Sequence, residues 1–293
     1  KVLIMDKISV LAITKNGVNI GIGLKETFPS WKIFAPNKFK NNENNIEWYS
    51  ESTTQKIERL FKNNDALICL FSLGAVIRLI APHLKDKKTD PAVIVIDDKT
   101  SFVISVLSGH IGGANKLTNQ IAEKLNAVPV ITTAADVNKT IAVDLVGRDL
   151  DWKIDDDSTV TKVSAYMVNE EKIGVFQDVG NKNWYKELPK NVIIFNKFEE
   201  LEKSDCKGFL IITDRILDSK FHSESVIYRP PSLVVGVGLH WDTTKETIKE
   251  CIDFCMDKFK LSPKSISKLT SIKKPQNVLG LVELGEEMGI PVE

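Results

Sequence analysis

The run Ser108-Gly109-His110-Ile111-Gly112-Gly113-Ala114-Asn115 brings a hydroxyl, an imidazole, a carboxamide and a glycine-rich backbone together in one stretch. An imidazole titrates near neutral pH, which suits His110 to work as a general base. Gly109, Gly112 and Gly113 let backbone N–H groups approach an anion that a β-carbon would hold off. Ser108 and Asn115 add side-chain donors to the same place. Each residue also has a plainer reading: His110 fixes the loop by hydrogen bonding, Ser108 caps a turn, and Asn115 bonds to backbone.

These residues must be held by neighbouring elements. Phe102-Val103-Ile104-Ser105-Val106-Leu107 is apolar and β-branched enough for a buried parallel strand. Ala114 to Asn126 carries Leu117, Ile121 and Leu125 at helical spacing. The motif is therefore expected at a strand's carboxyl end, where open α/β sheets bind ligands and a following helix offers its positive end. Other polar residues are expected near that edge. Arg78, on a helix over Gly74 to Ala81, has the forked guanidinium that clamps carboxylates. Asp90 and Asp136 either orient His110 or a water, or cap turns. Thr132 and Thr133, after the strand Val128 to Ile131, either reach a ligand or serve structure.

The rest of the chain alternates strands and helices, which predicts a multidomain α/β protein built on an open, mostly parallel sheet. Ile8 to Thr14 reads as a strand, Val18 to Glu26 as a helix and Trp31 to Phe34 as a second strand. Lys38 to Asn45 is a loop, Thr53 to Asn63 a helix, and Ala66 to Phe71 and Ala92 to Asp97 are strands. Residues 1–138 form an amino-terminal α/β domain. Residues 139–229 form a mixed α+β middle module with hairpin-like runs around Gly174 and Gly180, ended by the stiff pair Pro230-Pro231. Residues 230–293 form a smaller α/β module whose helix, after Thr243-Thr244-Lys245-Glu246, turns Ile248, Ile252, Cys255 and Phe259 inward. Its last residues, Ile290-Pro291-Val292, read as the start of a strand, so a distal segment is expected to be missing.

With 293 residues and 43% hydrophobic content the chain can bury a sizeable core. Its formal net charge of +0, with 27% charged residues, gives no global field for nucleic acid or an anionic membrane. No apolar run approaches the roughly 20 residues of a membrane span, and no signal peptide is legible, so a soluble cytoplasmic protein is expected. The 4 cysteines are too scattered for a disulfide framework. Cys251 and Cys255 share a helix face without the partners of a tetrahedral metal site, and read as core. Arginine is scarce, so Arg59, Arg148, Arg215 and Arg229 are each either a carboxylate-recognising residue or, as the plainer reading, a surface residue. There is no Walker sequence, dinucleotide fingerprint or His-Glu-x-x-His pair, so no nucleotide, flavin or catalytic metal is expected.

The same loop resembles the signature of the cobalt-precorrin-5A hydrolase family of anaerobic cobalamin biosynthesis. The likeness extends upstream through Asp65-Ala66-Leu67-Ile68, Gly74-Ala75-Val76-Ile77-Arg78-Leu79-Ile80-Ala81-Pro82 and Asp86-Lys87-Lys88-Thr89-Asp90-Pro91-Ala92-Val93. Downstream it continues through Pro129-Val130-Ile131-Thr132-Thr133-Ala134-Ala135-Asp136, and more weakly to Gly280-Leu281-Val282-Glu283-Leu284. The resemblance implies a cobalt-bearing tetrapyrrole substrate with carboxylate arms, whose δ-lactone is opened with release of acetaldehyde. For that reaction, His110 and Ser108 are the candidate catalytic residues by their chemistry. Gly109, Gly112, Gly113, Asn115, Arg78, Asp90, Thr132, Thr133 and Asp136 would bind substrate, and cobalt would arrive with the substrate rather than as a cofactor. Transient contact with other pathway enzymes and self-association are both left open. After Gly236-Val237-Gly238 the family pattern has a cysteine-arginine-like pair, whereas this chain has Leu239-His240-Trp241-Asp242. That weakens a thiol role there and leaves His240 either an axial cobalt ligand or an ordinary loop residue. The rivals to a hydrolase are a non-catalytic tetrapyrrole carrier and an anion-binding domain for a phosphorylated ligand.

Overall fold

The computed structural model describes residues 5–218, 221–272 and 278–293, which fall into two compact units, 5–138 and 139–293. The first unit contains β1 (Ile8–Ala12), α1 (Lys15–Thr27), β2 (Lys32–Pro36), β3 (Ile46–Tyr49), α2 (Thr53–Asn63), β4 (Ala66–Leu70), α3 (Leu73–Ile80), β5 (Ala92–Ile96), β6 (Phe102–Leu107), α4 (Ala114–Leu125), β7 (Val128–Val130) and α5 (Ala134–Val137). The strands form one sheet in the order β3-β2-β1-β4-β5-β6-β7. Alternation along the strands splits the core between its two faces. Val10, Ala12, Ile33, Ala35, Ile68, Leu70, Ile94 and Ile96 pack with residues of α1 and α4. Leu11, Phe34, Leu67, Cys69, Val93 and Val95 pack with residues of α2 and α3.

The sheet is mostly parallel, as expected, but β6 departs from the sequence reading. It runs antiparallel to β5 and parallel only to β7. The connection across Asp97 to Ser101 is too short for the crossover that parallel neighbours need, so a hairpin results. The carboxyl end of β6 therefore meets the amino end of β5, on the edge opposite the carboxyl ends of β1 and β4. The loop after β6 lies at a strand's carboxyl end, but not in the crevice where the strand order reverses. A second departure is β3, which pairs with β2 through Ile46 and Tyr49. Its short run beside the Asn- and Lys-rich loop carried too little periodicity to be read.

The second unit contains β8 (Lys153–Ile154), α6 (Val160–Val168), β9 (Ile173–Gln177), β10 (Val192–Phe195), α7 (Phe198–Glu202), β11 (Gly208–Ile212) and β12 (Ser225–Arg229). Their sheet has the order β10-β9-β11-β12-β8, with β8 alone antiparallel to its neighbour, so the runs around Gly174 and Gly180 are not hairpins. Then come β13 (Leu233–Gly236), α8 (Lys245–Phe259), β14 (Ile266–Thr270) and α9 (Leu279–Met288), with β13 parallel to β14. Backbone bonds from Ile216 to Lys260 (2.7 Å) and from Ser262 to Asp214 (2.7 Å) join this part to the five-stranded part.

Two expectations fail here. On α8 the buried residues are Ile248, Ile252 and Met256, whereas Cys251, Cys255 and Phe259 are exposed. The helix carries more apolar residues than its one covered face takes up, so spacing alone could not choose among them. Arg229 is not on the surface but 1% exposed, with Nη2 donating to Asp155 at 2.9 Å and Nη1 to the carbonyls of Thr213 (3.0 Å) and Arg215 (2.6 Å). The amphipathic stem and forked head let a buried arginine serve several acceptors at once.

Candidate functional site

The loop between β6 and α4 is closed by its own backbone. The N–H groups of Gly113, Ala114 and Asn115 donate to the carbonyls of His110 (3.0 Å), Ser108 (3.1 Å) and Gly109 (3.0 Å). Gly113 sits at the start of α4 with φ +81°, a left-handed conformation that favours glycine. A β-carbon on Gly112 would run into Ser108, so the chain can fold back this tightly only with glycine there. Ser108 has φ +55°, and its hydroxyl donates to the carbonyl of Asp90 at 2.9 Å. That bond ties the loop to the start of β5 and gives Ser108 a holding role.

The side chains of the loop converge on Asp136. His110 Nε2 lies 2.8 Å from Asp136 Oδ2, and the same oxygen accepts from Asn115 Nδ2 at 2.8 Å. Asn115 is 6% exposed and makes two further bonds, donating to Thr133 Oγ1 (3.0 Å) and accepting from Ser105 Oγ (2.6 Å). A carboxylate offers only acceptors, so Nε2 donates the hydrogen bond to Asp136. The His110 side chain is 16% exposed. The geometry favours the orienting role for Asp136, and the hub role for Asn115 over a bond to backbone.

The other expected residues fall into place unevenly. The Asp90 carboxylate accepts from the Lys85 N–H (3.2 and 3.0 Å to its two oxygens), so it closes a turn instead of facing His110. Thr133 belongs to the network, whereas Thr132 is exposed beside it. Arg78 is exposed in the last turn of α3, its Nη1 3.4 Å from the Gly74 carbonyl. The chain runs from α3 to the amino end of β5, which carries Arg78 toward the edge of the loop without joining the network. The Gly113 N–H is taken by His110, which removes it as an anion donor, and the amides of Gly109 and Gly112 are the ones left for that role. Ser105 was missed; the signal was a serine inside an otherwise apolar strand. His240 lies in the second unit, its N–H donating to Thr243 Oγ1 at 3.0 Å. Among the described residues no cluster of three or more His, Cys, Asp or Glu side chains is placed to hold a metal.

Fold and loop together define an α/β domain whose sheet edge presents a carboxylate-oriented histidine beside a glycine turn, an arrangement suited to base-assisted attack on a carbonyl. The family models described as Cobalamin synthesis G N-terminal, Cobalamin biosynthesis central region and Cobalamin synthesis G C-terminus match residues 55–136, 141–230 and 233–293. The chain is 41% identical over 290 residues to a cobalt-precorrin-5A hydrolase of Priestia megaterium, covering 96% of this chain and 78% of that one. It is 29% identical over 305 residues to the enzyme of the same name from Salmonella typhimurium, covering 98% and 81%. A solved cobalamin biosynthesis protein G homolog from Sulfolobus solfataricus is 22% identical with a TM-score of 0.45, covering 99% of this chain and 79% of that chain. The chain belongs to the cobalamin synthesis G family, the family of these hydrolases.

Proposed function

We propose that this protein is a cobalt-precorrin-5A hydrolase of anaerobic cobalamin biosynthesis. It opens the δ-lactone of its cobalt-bearing tetrapyrrole substrate, and the product is cobalt-precorrin-5B with release of acetaldehyde. The observation that carries this reading is the 41% identity to the Priestia megaterium enzyme over 96% of the chain. His110 takes a proton from water as the water oxygen bonds to the lactone carbonyl carbon. Asp136 steadies the imidazolium that forms, and the Gly109 and Gly112 amides face the developing oxyanion. Collapse of the tetrahedral intermediate breaks the ring C–O bond, and the leaving oxygen takes the proton back from His110. The carbinol so freed then breaks its C–C bond to the macrocycle, leaving as acetaldehyde while the electron pair of that bond and the hydroxyl proton pass to the ring. Arg78 is the proposed anchor for a carboxylate arm. Cobalt enters as part of the substrate, and the protein supplies no cofactor of its own. A cytoplasmic setting belongs to the same reading, supported by four unpaired cysteines and by the lack, among the described residues, of a helix long and apolar enough to cross a membrane.

The test is anaerobic incubation with cobalt-precorrin-5A, following acetaldehyde and the mass of the ring, for wild type beside His110→Ala. The expected result is acetaldehyde from wild type and a rate lower by about a thousandfold in the variant. Equal release by both proteins would keep the hydrolase and remove the base assignment. A spectral shift without acetaldehyde from either would favour a carrier.

A further inference from the structure

β6 is apolar at every position except Ser105. Val103, two residues earlier on the same side of the strand, packs in the core with Ala114, Leu117 and Ile121 of α4, so an apolar side chain would suit position 105 as well. The Ser105 hydroxyl instead donates to Asn115 Oδ1 at 2.6 Å. Just beyond it the ladder is irregular. Ser105 and Leu107 face the consecutive β5 residues Ile94 and Val93, which leaves Val106 as the extra residue of a bulge. A bulge bends a strand and re-aims its side chains, and this one lies immediately before the His110 loop.

The Asn115 amide is the part of the network that a hydroxyl can orient. Its nitrogen donates to Thr133 Oγ1 (3.0 Å) and Asp136 Oδ2 (2.8 Å), and its oxygen faces Ser105. Because Asn115 is buried, loss of the Ser105 hydroxyl would strip that oxygen of the donor that holds it. A turned amide would bring its oxygen toward the Asp136 carboxylate, where two acceptors repel. The same amide lies against the glycine turn: a β-carbon on Gly109 would come within 2.7 Å of Asn115 Oδ1 and 3.0 Å of Nδ2. One planar group thus touches both the carboxylate that holds His110 and the backbone whose amide is proposed to face the oxyanion. We infer that Ser105 is a positioning residue of the hydrolase, which by fixing the Asn115 amide sets Asp136, His110 and the Gly109 backbone in place together. This role rests on the hydrolase reading, and Ser105 acts only through Asn115.

The experiment compares wild type, Ser105→Ala and Ser105→Thr in the 293-residue chain. Threonine keeps the hydroxyl and suits a strand, so it separates loss of the donor from disturbance of β6. In Ser105→Ala, turnover of cobalt-precorrin-5A to acetaldehyde should fall about tenfold with KM within about twofold of wild type, and Ser105→Thr should recover most of the rate. Amide NMR of the ¹⁵N-labelled chain gives a readout that needs no substrate. The Asn115 side-chain N–H protons should exchange with water about tenfold faster in Ser105→Ala than in wild type, and near the wild-type rate in Ser105→Thr. The melting temperature of both variants should stay near that of wild type. Full turnover in a folded Ser105→Ala, a change in KM alone, no recovery in Ser105→Thr, or unchanged Asn115 exchange would each overturn the inference. Wild type releasing no acetaldehyde would end the hydrolase reading and the catalytic part of this inference with it, whereas unchanged Asn115 exchange beside full wild-type release would end the inference alone.

Discussion

Asp136 in the first unit and Asp155 in the second are both carboxylates that collect donors, and they do opposite things with them. Asp155 is bound by a fully buried arginine and by Lys264, whose Nζ is 3.7 Å from Oδ1. Its partners are cations, of which Arg229 also holds the carbonyls of Thr213 and Arg215, and the cluster joins β8, β12 and the segment before β14. Asp136 is bound by an amide and an imidazole, and is itself 41% exposed. The same acceptor chemistry therefore yields a rivet where the donor is a permanently charged, buried guanidinium, and, in the function proposed above, a held base where the donor is an imidazole near the surface.

The largest effect that could break this contrast is on stability. Asp155→Ala strands Arg229 without its counter-charge, and should lower unfolding free energy by about 3 kcal/mol or more, read from urea midpoints. A loss below about 1 kcal/mol would mean that the pair is not a rivet. Asn115→Ala should leave KM near wild type but lower turnover roughly ten- to hundredfold, because Asp136 and the ring it holds lose a fixed donor. A change in KM alone would make Asn115 a substrate contact instead. Acid sharpens the contrast further. Burial acts to raise the Asp155 carboxyl, but the Arg229 hydrogen bond and charge, with Lys264 and His222, hold it below its ordinary 3.8. The unfolded chain then takes up that proton first, so the stability it contributes is present above pH 3.8 and is lost as pH falls through the lower folded value. Asp155→Asn should flatten that part of the acid melting curve, and an unchanged curve would assign the acid loss elsewhere. The smallest effect is expected from Ser108→Ala. It removes one hydroxyl bond to the Asp90 carbonyl, should cost about 1 kcal/mol in a thermal melt, and should leave turnover intact. A large rate loss in a folded Ser108→Ala would restore the serine to the chemistry.

Much of the first unit was legible because its strands are continuous β-branched runs and its helices keep one apolar face. Ala66 to Leu70, Ala92 to Ile96 and the loop from Ser108 to Asn115 stand where the pattern placed them. What the pattern lacked was direction. Residues Phe102 to Leu107 read the same whether β6 runs with β5 or against it, and only the length of the turn before it decides. Pairings far apart in the chain were also hidden. His110 and Asp136 are 26 residues apart, and nothing local distinguished Asp136 from Asp90 as the partner. Arg229 and Asp155 are 74 residues apart, so a buried arginine looked like a surface one. On α8 the obstacle was excess, since Phe254 and Phe259 remain 67% and 65% exposed on a helix that pattern alone would bury more deeply.

The contrast between rivet and held base comes down to what Asp136 does for His110, and Asp136→Asn tests it directly. Acetaldehyde release from cobalt-precorrin-5A should fall by about a hundredfold or more, because an amide can present its own N–H to Nε2 and stabilise the wrong tautomer. The melting temperature should stay near that of wild type. Full turnover in Asp136→Asn, or a melting loss as large as that of Asp155→Ala, would contradict the assignment of Asp136 as the group that sets the base.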